Sequence, residues 1–345
     1  MAQSIALIGI DLGKRTYHVH AQDRGGHLVT RRAFSRSQLL NYLVRTPSCR
    51  VVMEACAGAH WFVRKLSAMG HQAQLIAPQY VRPFVKTNKH DFADAEAICE
   101  AASRPAMRYV AAKSVDQQCL SVLHRLRERW VSERTAMINQ VHGFLLEFGI
   151  SAVPSKALIT RLPELMDRPE LELPERLQAL LLKLAERYRA LDAQIADLDR
   201  EIAAQLKQDD AAQRLLEIPG IGPVTASLIA AEAGNARQYA SSRDFAASLG
   251  LVPRQHATGG KSHLLGISKR GDKHLRRLLV QGARAVLQTA ERRTDTLGVW
   301  LRQLLARRHS NVVACALANK MARIVWAILA RGTTYHAVPA GVLNA

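Results

Sequence analysis

One segment of the chain permits very few structures. Between Pro174 and Leu206 the apolar residues recur alternately every three and every four positions, over four heptads. Such spacing is typical of a long α-helix whose apolar seam packs against another helix, as in a coiled coil. The seam could close against a second long helix predicted from about Ser114 to Phe148, or against another copy of the chain. Its two positions hold Leu177, Leu184, Leu191 and Leu198, and Leu181, Tyr188, Ile195 and Ile202.

The N-terminal third has a different pattern, in which short strands come first. The predicted strands are Ile5 to Ile10, Tyr17 to Gln22, Leu28 to Phe34, Arg50 to Met53 and Gln72 to Ile76. Asp23-Arg24-Gly25-Gly26 has hairpin-turn composition, and a helix is predicted from about Trp61 to Met69. Three antiparallel strands followed by β-α-β units predict an α/β domain with a mixed sheet and helices packed on it.

Changes of composition divide the chain into three predicted domains. Residues 1–112 form the α/β domain, residues 113–208 a coiled-coil helical linker, and residues 209–345 a mainly α-helical C-terminal domain. In the last of these, Ile218-Pro219-Gly220-Ile221-Gly222 precedes an apolar helix that ends near Gly234, and it looks like a helix-hairpin-helix. Glycines let a backbone approach a phosphate, and a helix N-terminus offers N–H groups to it, so Gly220 and Gly222 are predicted nucleic-acid contacts. A tight turn without a ligand is the alternative.

The chain is strongly basic. It has 48 Lys and Arg residues against 29 acidic ones, a formal charge of +19 in 345 residues. Such an excess favours a polyanionic partner, most commonly nucleic acid, although a merely soluble basic protein is the alternative. From Lys261 to Lys320 there are thirteen Lys or Arg residues and three acidic ones. The sequence therefore places the cationic surface in the C-terminal domain.

The cysteines and the apolar runs indicate the cellular compartment in which the protein is expected. The five cysteines are scattered, without Cys-x-x-Cys spacing, which argues against a zinc site and a disulfide framework and suits a reducing cytosol. The N-terminus lacks the charged region and cleavage site of a signal peptide, and charges interrupt the apolar runs well short of membrane length. We therefore expect a cytoplasmic protein without a membrane partner.

Four carboxylates stand where they could converge. Asp11 and Glu54 come at the ends of predicted strands, and Asp91 and Asp94 are three residues apart on one face of a helix predicted from Asp91 to Ala102. Such acids repel one another unless a cation lies between them. Hard oxygen ligands suit Mg²⁺ or Mn²⁺, which can position an attacking oxygen and stabilise a leaving one. A lone acid of this kind is usually a helix cap or a solvated charge, but the combination predicts a metal site.

A Gly-rich segment from Leu249 to Arg277 combines hydroxyl groups with cations. It is predicted to be a phosphodiester-binding loop followed by a basic helix. One hydroxyl could be a nucleophile, with Lys or Arg stabilising the charge that develops on phosphorus, and a simple contact to backbone phosphate is equally compatible. The predicted nucleic-acid-binding cations are Lys261, Lys269, Arg270, Arg276 and Arg277.

Several motifs together resemble the DEDD transposases of insertion sequence family 110. They are Gly9-Ile10-Asp11-Leu12-Gly13-Lys14, Met53-Glu54-Ala55, Lys89-His90-Asp91-Phe92-Ala93-Asp94-Ala95, the Ile218 to Gly222 turn and the Ile267 to Gly271 segment. Arg254-Gln255-His256 and Gly259-Gly260-Lys261 resemble its subgroup 1111. The resemblance covers essentially the whole chain, in the right order.

The resemblance implies a magnesium-dependent enzyme that cuts and rejoins DNA to move an insertion sequence. It implies a RuvC-like (RNase H-like) N-terminal domain, a coiled-coil linker and a C-terminal transposase module. The four metal-binding acids of the family match Asp11, Glu54, Asp91 and Asp94. A structured RNA encoded by the element would pair with donor and target DNA and choose the sites. Dimers, whose active sites combine the two domains from different protomers, would assemble into a homotetramer.

The resemblance also implies a covalent nucleophile, and here the sequence departs from the family. The family uses a serine of the Gly-rich loop, commonly just before the glycine. Thr258 stands at that position in this chain, before Gly259. Its hydroxyl can attack phosphorus as a serine can, although its methyl group crowds the approach. Ser262 is the competing hydroxyl, and Ser268 is a third.

Two other functions fit the same residues. A metal-dependent junction-resolving nuclease would use the acids with water, rather than a side chain, as the nucleophile. A non-catalytic nucleic-acid-binding protein would keep the fold without cleaving DNA. A covalent protein–DNA adduct separates the transposase from the nuclease, and metal-dependent cleavage separates both enzymes from the binding protein.

Overall fold

The computed structural model describes residues 4–86 and 90–339. The chain forms two compact units that divide between Ser114 and Val115. The predicted boundary after residue 208 falls inside the second unit. Lys89, which belongs to one of the motifs above, lies outside the described residues.

The N-terminal unit is built on a six-stranded sheet. Its strands are β1 (Leu7–Leu12), β2 (Tyr17–Gln22), β3 (Leu28–Phe34), β4 (Arg50–Glu54), β5 (Gln72–Ile76) and β6 (Tyr109–Val110). They lie in the order β3-β2-β1-β4-β5-β6. The first three strands form an antiparallel meander, β4 and β5 run parallel to β1, and β6 is antiparallel to β5. The predicted mixed sheet is confirmed.

Helices pack on both faces of this sheet. They are α1 (Arg36–Arg45), α2 (Ala59–Ala68), α3 (Pro78–Val81) and α4 (Asp91–Ala102), with a 3₁₀ turn at Arg82–Phe84. Leu39 of α1 and Leu66 of α2 are buried against one face of the sheet, and Ile98 of α4 is buried against the other. The sequence analysis did not predict α1, although Ser35 and Gln38 form a capping box at its start.

The C-terminal unit is mainly helical, as predicted. Its helices are α5 (Val115–Glu147), α6 (Lys156–Thr160), α7 (Leu162–Met166), α8 (Glu175–Leu206), α9 (Asp210–Leu215), α10 (Pro223–Ala233), α11 (Ser242–Ser248), α12 (Lys273–Gln288), α13 (Thr296–Leu305) and α14 (Ser310–Arg331). Two 3₁₀ turns lie at Pro169–Leu171 and Ala290–Arg292. Two strands, β7 (Pro253–Thr258) and β8 (Lys261–Ile267), complete it.

The heptad seam of α8 closes within the chain. Leu181, Leu191 and Ile195 of the seam are buried with Val141 and other residues of α5. Ion pairs join Arg127 to Asp199 and Arg134 to Asp192, so α5 and α8 run antiparallel. Of the two partners that the sequence left open, the structure therefore selects the long helix of the same chain.

α14 lies in the core of the C-terminal unit. Leu317, Met321 and Val325 are fully buried among residues of α10, α11 and α12. By length and composition this helix is apolar enough to cross a membrane, which differs from the expectation that charges interrupt every apolar run well short of membrane length. Half of its apolar segment is buried inside the unit, as in a core helix of a folded domain.

The segment predicted as a Gly-rich loop is a β-hairpin, so that part of the prediction is wrong. β7 and β8 pair antiparallel, and Thr258 faces Lys261 across the turn. Gly259 and Gly260 form the two-residue turn with φ of +55° and +76°. Two successive positive φ angles define the type I′ turn, whose twist matches that of paired strands. The two glycines are therefore a turn signal rather than a sign of flexibility.

Candidate functional site

Asp11 and Glu54 lie side by side at one edge of the sheet. The register pairs Ile10 of β1 with Met53 of β4, and each acid follows next on its own strand. Both strands are buried at their centres and half-exposed at these acids. As predicted, Asp11 lies at the C-terminal end of its strand, and β1 extends one residue further, to Leu12.

A glycine allows α4 to bring two more acids to this edge. A Cβ atom on Gly9 would lie 2.4 Å from the backbone oxygen of Ala95 and 2.8 Å from the sulfur of Cys99. Those distances are shorter than van der Waals contact, so only glycine lets α4 pack this closely on β1. Asp91 and Asp94 occupy the first turn of α4. The close packing therefore places them beside the strand that carries Asp11.

Three of the four acids converge closely. Asp11, Asp91 and Asp94 each offer a carboxylate oxygen, and these oxygens all lie within 4.8 Å of one another. Burial raises the pKa of the Glu54 carboxyl, and the negative charges of Asp11 and Asp94 raise it further. Glu54 therefore lies close enough to the same cluster for its charge to act on the Glu54 carboxyl. We call these four residues the acidic site.

His18 adjoins the acidic site, and sequence reasoning missed it. Its Nδ1 atom lies 3.7 Å from a carboxylate oxygen of Asp91 and 4.0 Å from one of Asp11. That nitrogen is buried and lacks a hydrogen-bond partner among the described residues. The hairpin register pairs His18 directly with Asp11. Pairing the first two predicted antiparallel strands with each other is the step that could have found it.

The donor set of the acidic site fits a divalent cation. Asp11 and Asp94 are half-buried and Asp91 is exposed, so the cluster opens to solvent on one side. Carboxylate oxygens at this spacing are the ligands that Mg²⁺ and Mn²⁺ prefer, and an open side leaves room for substrate. The orphaned Nδ1 atom of His18 points to the same conclusion, because it is a buried polar atom aimed at the cluster.

The hairpin of the C-terminal unit separates its two hydroxyl groups. Thr258 pairs with Lys261, and Ala257 pairs with Ser262. Residues that pair directly share one face of a hairpin, and neighbours along a strand alternate between faces. Thr258 and Ser262 therefore lie on opposite faces. The Ser262 hydroxyl accepts a hydrogen bond of 2.8 Å from the side-chain amide of Gln255.

The predicted nucleic-acid-binding cations differ in their surroundings. Lys261, Lys269 and Arg270 are exposed. Arg276 donates to the backbone oxygens of Leu249 and Arg270, at 2.8 and 3.1 Å. A further cation of this set, Arg277, forms an ion pair of 2.8 Å with Glu128. The first three cations are therefore better placed to meet a phosphate than the last two.

The two glycines of the Ile218 to Gly222 turn also differ. Gly220 has a φ of +87°, and a Cβ there would lie 2.7 Å from the backbone oxygen of Gly282 on α12. Packing alone thus accounts for glycine at that position. Gly222 is exposed and is the N-cap of α10, which has Pro223 in its first turn. A Cβ on Gly222 would meet no described atom within 4 Å.

Comparison with protein families first identifies the class. The profile of DEDD transposases of the IS110 group matches residues 8–150, which contain the acidic site. The profile described as the transposase IS116/IS110/IS902 family matches residues 212–297, which contain the hairpin. Both halves of the chain thus match transposases.

Comparison with individual proteins then gives the family. The transposase for insertion sequence element IS1328 of Yersinia enterocolitica is 54% identical over 332 residues, which are 96% of this chain and 99% of the relative. The transposase for insertion sequence element IS1111A of Coxiella burnetii is 41% identical over 97% of this chain and 92% of the relative. The chain therefore belongs to the IS110 family of transposases, enzymes that cut and rejoin DNA, and the resemblance seen in the sequence is confirmed.

Proposed function

We propose that this transposase joins DNA strands through a covalent intermediate on Thr258, with the acidic site holding Mg²⁺ or Mn²⁺. The observation that carries the proposal is the convergence of Asp11, Asp91 and Asp94 within 4.8 Å, beside a Glu54 whose pKa is raised. A bound divalent cation supplies charge stabilisation for the attacking and leaving oxygens of the phosphodiester. The acids of this chain hold that charge in place and orient the scissile phosphate.

The hairpin supports Thr258 over Ser262 as the nucleophile. The Thr258 hydroxyl shares its face with the cation of Lys261, which pairs with it directly. The Ser262 hydroxyl faces the other way and is engaged by Gln255. A hydroxyl that attacks a phosphate needs a nearby positive charge for the phosphorane that forms. Thr258 has that neighbour on its own face.

The choice of DNA sites belongs to the same proposal. We assign it to a structured RNA encoded by the element, which would pair with donor and target DNA. Family membership and the formal charge of +19 support this, because such a charge suits a protein that holds RNA and DNA together. In the cytoplasm the protein would associate with the nucleoid.

The arrangement of domains also belongs to the proposal. A RuvC-like domain would span residues 1–112, a coiled-coil linker residues 113–208, and a transposase domain with a helix-hairpin-helix residues 209–345. The β-meander of the first unit, the antiparallel pair α5–α8 and the open N-terminus of α10 at Gly222 support the three assignments in turn.

Assembly into dimers and then a homotetramer is part of the proposal as well. An exposed apolar stripe runs along the first half of α5. It comprises Val115, Cys119, Val122 and Leu126, which recur at helical spacing. Exposed apolar stripes of this kind mark surfaces that pack against another protein. We assign this stripe, called the α5 stripe below, to contact between copies of the chain.

The test is to trap the covalent protein–DNA intermediate. The full-length protein, the RNA of its element and a nicked suicide duplex carrying an element end should give a covalent protein–DNA adduct. Peptide mass spectrometry should map the DNA to Thr258. Thr258→Ala should lose the adduct, Thr258→Ser should retain it, and Ser262→Ala is the matched control that should form it normally.

Each alternative has its own outcome. An adduct that survives Thr258→Ala and disappears with Ser262→Ala would move the chemistry to the second hydroxyl. Metal-dependent cleavage without any adduct would favour the junction-resolving nuclease, whose nucleophile is water. Omitting the RNA tests the guide, because cleavage at the same sites without RNA would contradict that part of the proposal.

A further inference from the structure

The face of the hairpin that carries Thr258 also carries two histidines. β7 and β8 pair His256 with His263, and the next pair on that face is Thr258 with Lys261. Directly paired side chains have Cβ atoms about 4.5–5.5 Å apart, and diagonal neighbours about 7–8 Å. One hydroxyl, one ammonium and two imidazoles therefore stand in a square of four neighbouring side chains.

Among the described residues of the C-terminal unit, nothing else covers this square. Every residue from Pro253 to Gly266 is exposed. The charged group that the strand register places on this face, Lys261, comes from the hairpin itself. A two-stranded hairpin is marginal by itself in water. An exposed hairpin with this chemistry on one face is suited to lie against a phosphodiester.

We propose that His256 and His263 are the acid–base pair of strand cleavage and rejoining at Thr258. The inference rests on the proposed role of Thr258 as the nucleophile. Imidazole is the side chain whose ordinary pKa lets it both accept and donate a proton near neutral pH. Two imidazoles, one on each strand, allow one to act as base while the other acts as acid.

The reaction needs one base and one acid, and we assign the base to His256 because it lies on the same strand as Thr258, two residues before it. In cleavage, His256 accepts the proton of the Thr258 hydroxyl while the Oγ1–P bond forms. The bond from phosphorus to the leaving deoxyribose oxygen breaks, and His263 donates a proton to that oxygen. In rejoining, a deoxyribose hydroxyl gives its proton to His263 and attacks phosphorus. Thr258 leaves with a proton from His256, so both imidazoles return to their first states. Lys261 offsets the negative charge at phosphorus in both directions.

The roles are separated by a substrate whose leaving oxygen is replaced by sulfur. A bridging phosphorothiolate releases a thiolate, which needs no proton from an acid. On the ordinary suicide duplex, His256→Gln and His263→Gln should each slow adduct formation by about 10²- to 10⁴-fold, the usual contribution of general acid–base catalysis. On the phosphorothiolate duplex, His263→Gln should recover the wild-type rate and His256→Gln should stay slow.

Controls keep the result specific to chemistry. His336→Gln makes the same substitution at an exposed histidine outside the hairpin, and its rate should match the wild type. Duplex affinity and the unfolding temperature should be unchanged in both hairpin variants. Equal slowing of both variants on the phosphorothiolate duplex would overturn the acid–base pair. So would the absence of slowing in either variant on the ordinary duplex. Rescue of His256→Gln instead of His263→Gln would overturn the assignment of roles. An adduct that forms without Thr258 would overturn the proposed nucleophile, a result distinct from failure of this inference.

Discussion

At the scale of single residues, the acidic site depends on negative charge held at one point. Asp94→Asn keeps the size of the side chain and removes its charge. We expect strand cleavage to fall by about 100-fold or more, because a lost ligand charge removes several kcal/mol of stabilisation at about 1.4 kcal/mol per tenfold. Single-turnover cleavage and Mn²⁺ titration of the purified protein measure the two effects.

Glu96→Gln is the matched control for that variant. Glu96 lies on the same helix, is partly exposed and forms an ion pair of 3.3 Å with Lys86. Its neutralisation should leave cleavage and Mn²⁺ binding close to wild type. Equal losses in the two variants would show that helix α4 needs acidic charge in general and that Asp94 has no particular role.

The sequence predicted the four acids but not their neighbour. Asp11, Glu54, Asp91 and Asp94 are recognisable because each has a position that sequence reveals, at a strand end or on one helical face. His18 could have been found opposite Asp11 by pairing the first two strands, but its place beside Asp91 depends on how α4 packs across β1 and β2. Gly9 sets that packing, and its importance appears only when a Cβ is placed against Ala95.

At the scale of elements, α5 and α10 meet at a buried histidine. His124 is 1% exposed, and its Nε2 lies 3.0 Å from the Ser227 hydroxyl. Burial lowers the pKa of His124 to about 4, and the positive charges of His274 and Arg127 lower it further. Because the folded pKa lies below the ordinary value, the unfolded chain binds the proton more tightly. Stability is therefore full above pH 6.5 and is lost as the pH falls towards 4.

This linkage gives a prediction for His124→Gln. An amide can bond to Ser227 but does not titrate. Between pH 6.5 and 4 the wild type should lose on the order of 3 kcal/mol more unfolding free energy than the variant. Urea unfolding at a series of pH values measures it. Parallel curves for the two proteins across that range would show that His124 does not contribute to the acid sensitivity. His142→Gln, on the same helix and half-buried, is the control.

The long helices and the hairpin differ in how far sequence could predict them. The heptad on α8 predicted a buried seam, and Leu181, Tyr188 and Ile202 are buried. A periodic pattern gives the buried face of a helix but not the identity of its partner. In the structure, ion pairs with α5 identify that helix as the antiparallel partner. The hairpin was missed for the opposite reason. Its strands are exposed on both faces, so no alternation of apolar and polar residues revealed them.

At the scale of the whole molecule, the excess of positive charge should act through a few exposed cations. Replacing Lys261, Lys269 and Arg270 together by Gln removes three positive charges. If each meets one phosphate, the slope of log affinity against log salt should become shallower by about 3. Fluorescence anisotropy with a labelled element-end duplex across a KCl series measures the slope.

Arg277→Gln is the control for charge alone. Its guanidinium forms an ion pair with Glu128, so we expect its slope to stay within about 0.5 of the wild type. A change of about 1 in Arg277→Gln would show that this arginine leaves Glu128 for a phosphate. An unchanged slope in the triple variant would show that the hairpin and the adjoining basic turn do not contact the DNA backbone.

The largest question at this scale is whether one copy of the chain can complete a catalytic site by itself. The acidic site belongs to one compact unit and Thr258 to the other. If each site combines units from two protomers, a mixture of Asp94→Asn and Thr258→Ala should recover activity that neither variant has. In such a mixed dimer one site carries both defects and the other carries none, so recovery should approach half the wild-type activity per mixed dimer. If each chain completed its own site, every site in the mixture would keep one defect, and activity would stay at the level of the single variants.

The α5 stripe supplies the control for this experiment. Val122→Lys with Leu126→Lys in both partners should prevent assembly, measured by sedimentation, and should abolish the recovery. Lysine variants that still assemble and still recover activity would place the contact between copies on another surface.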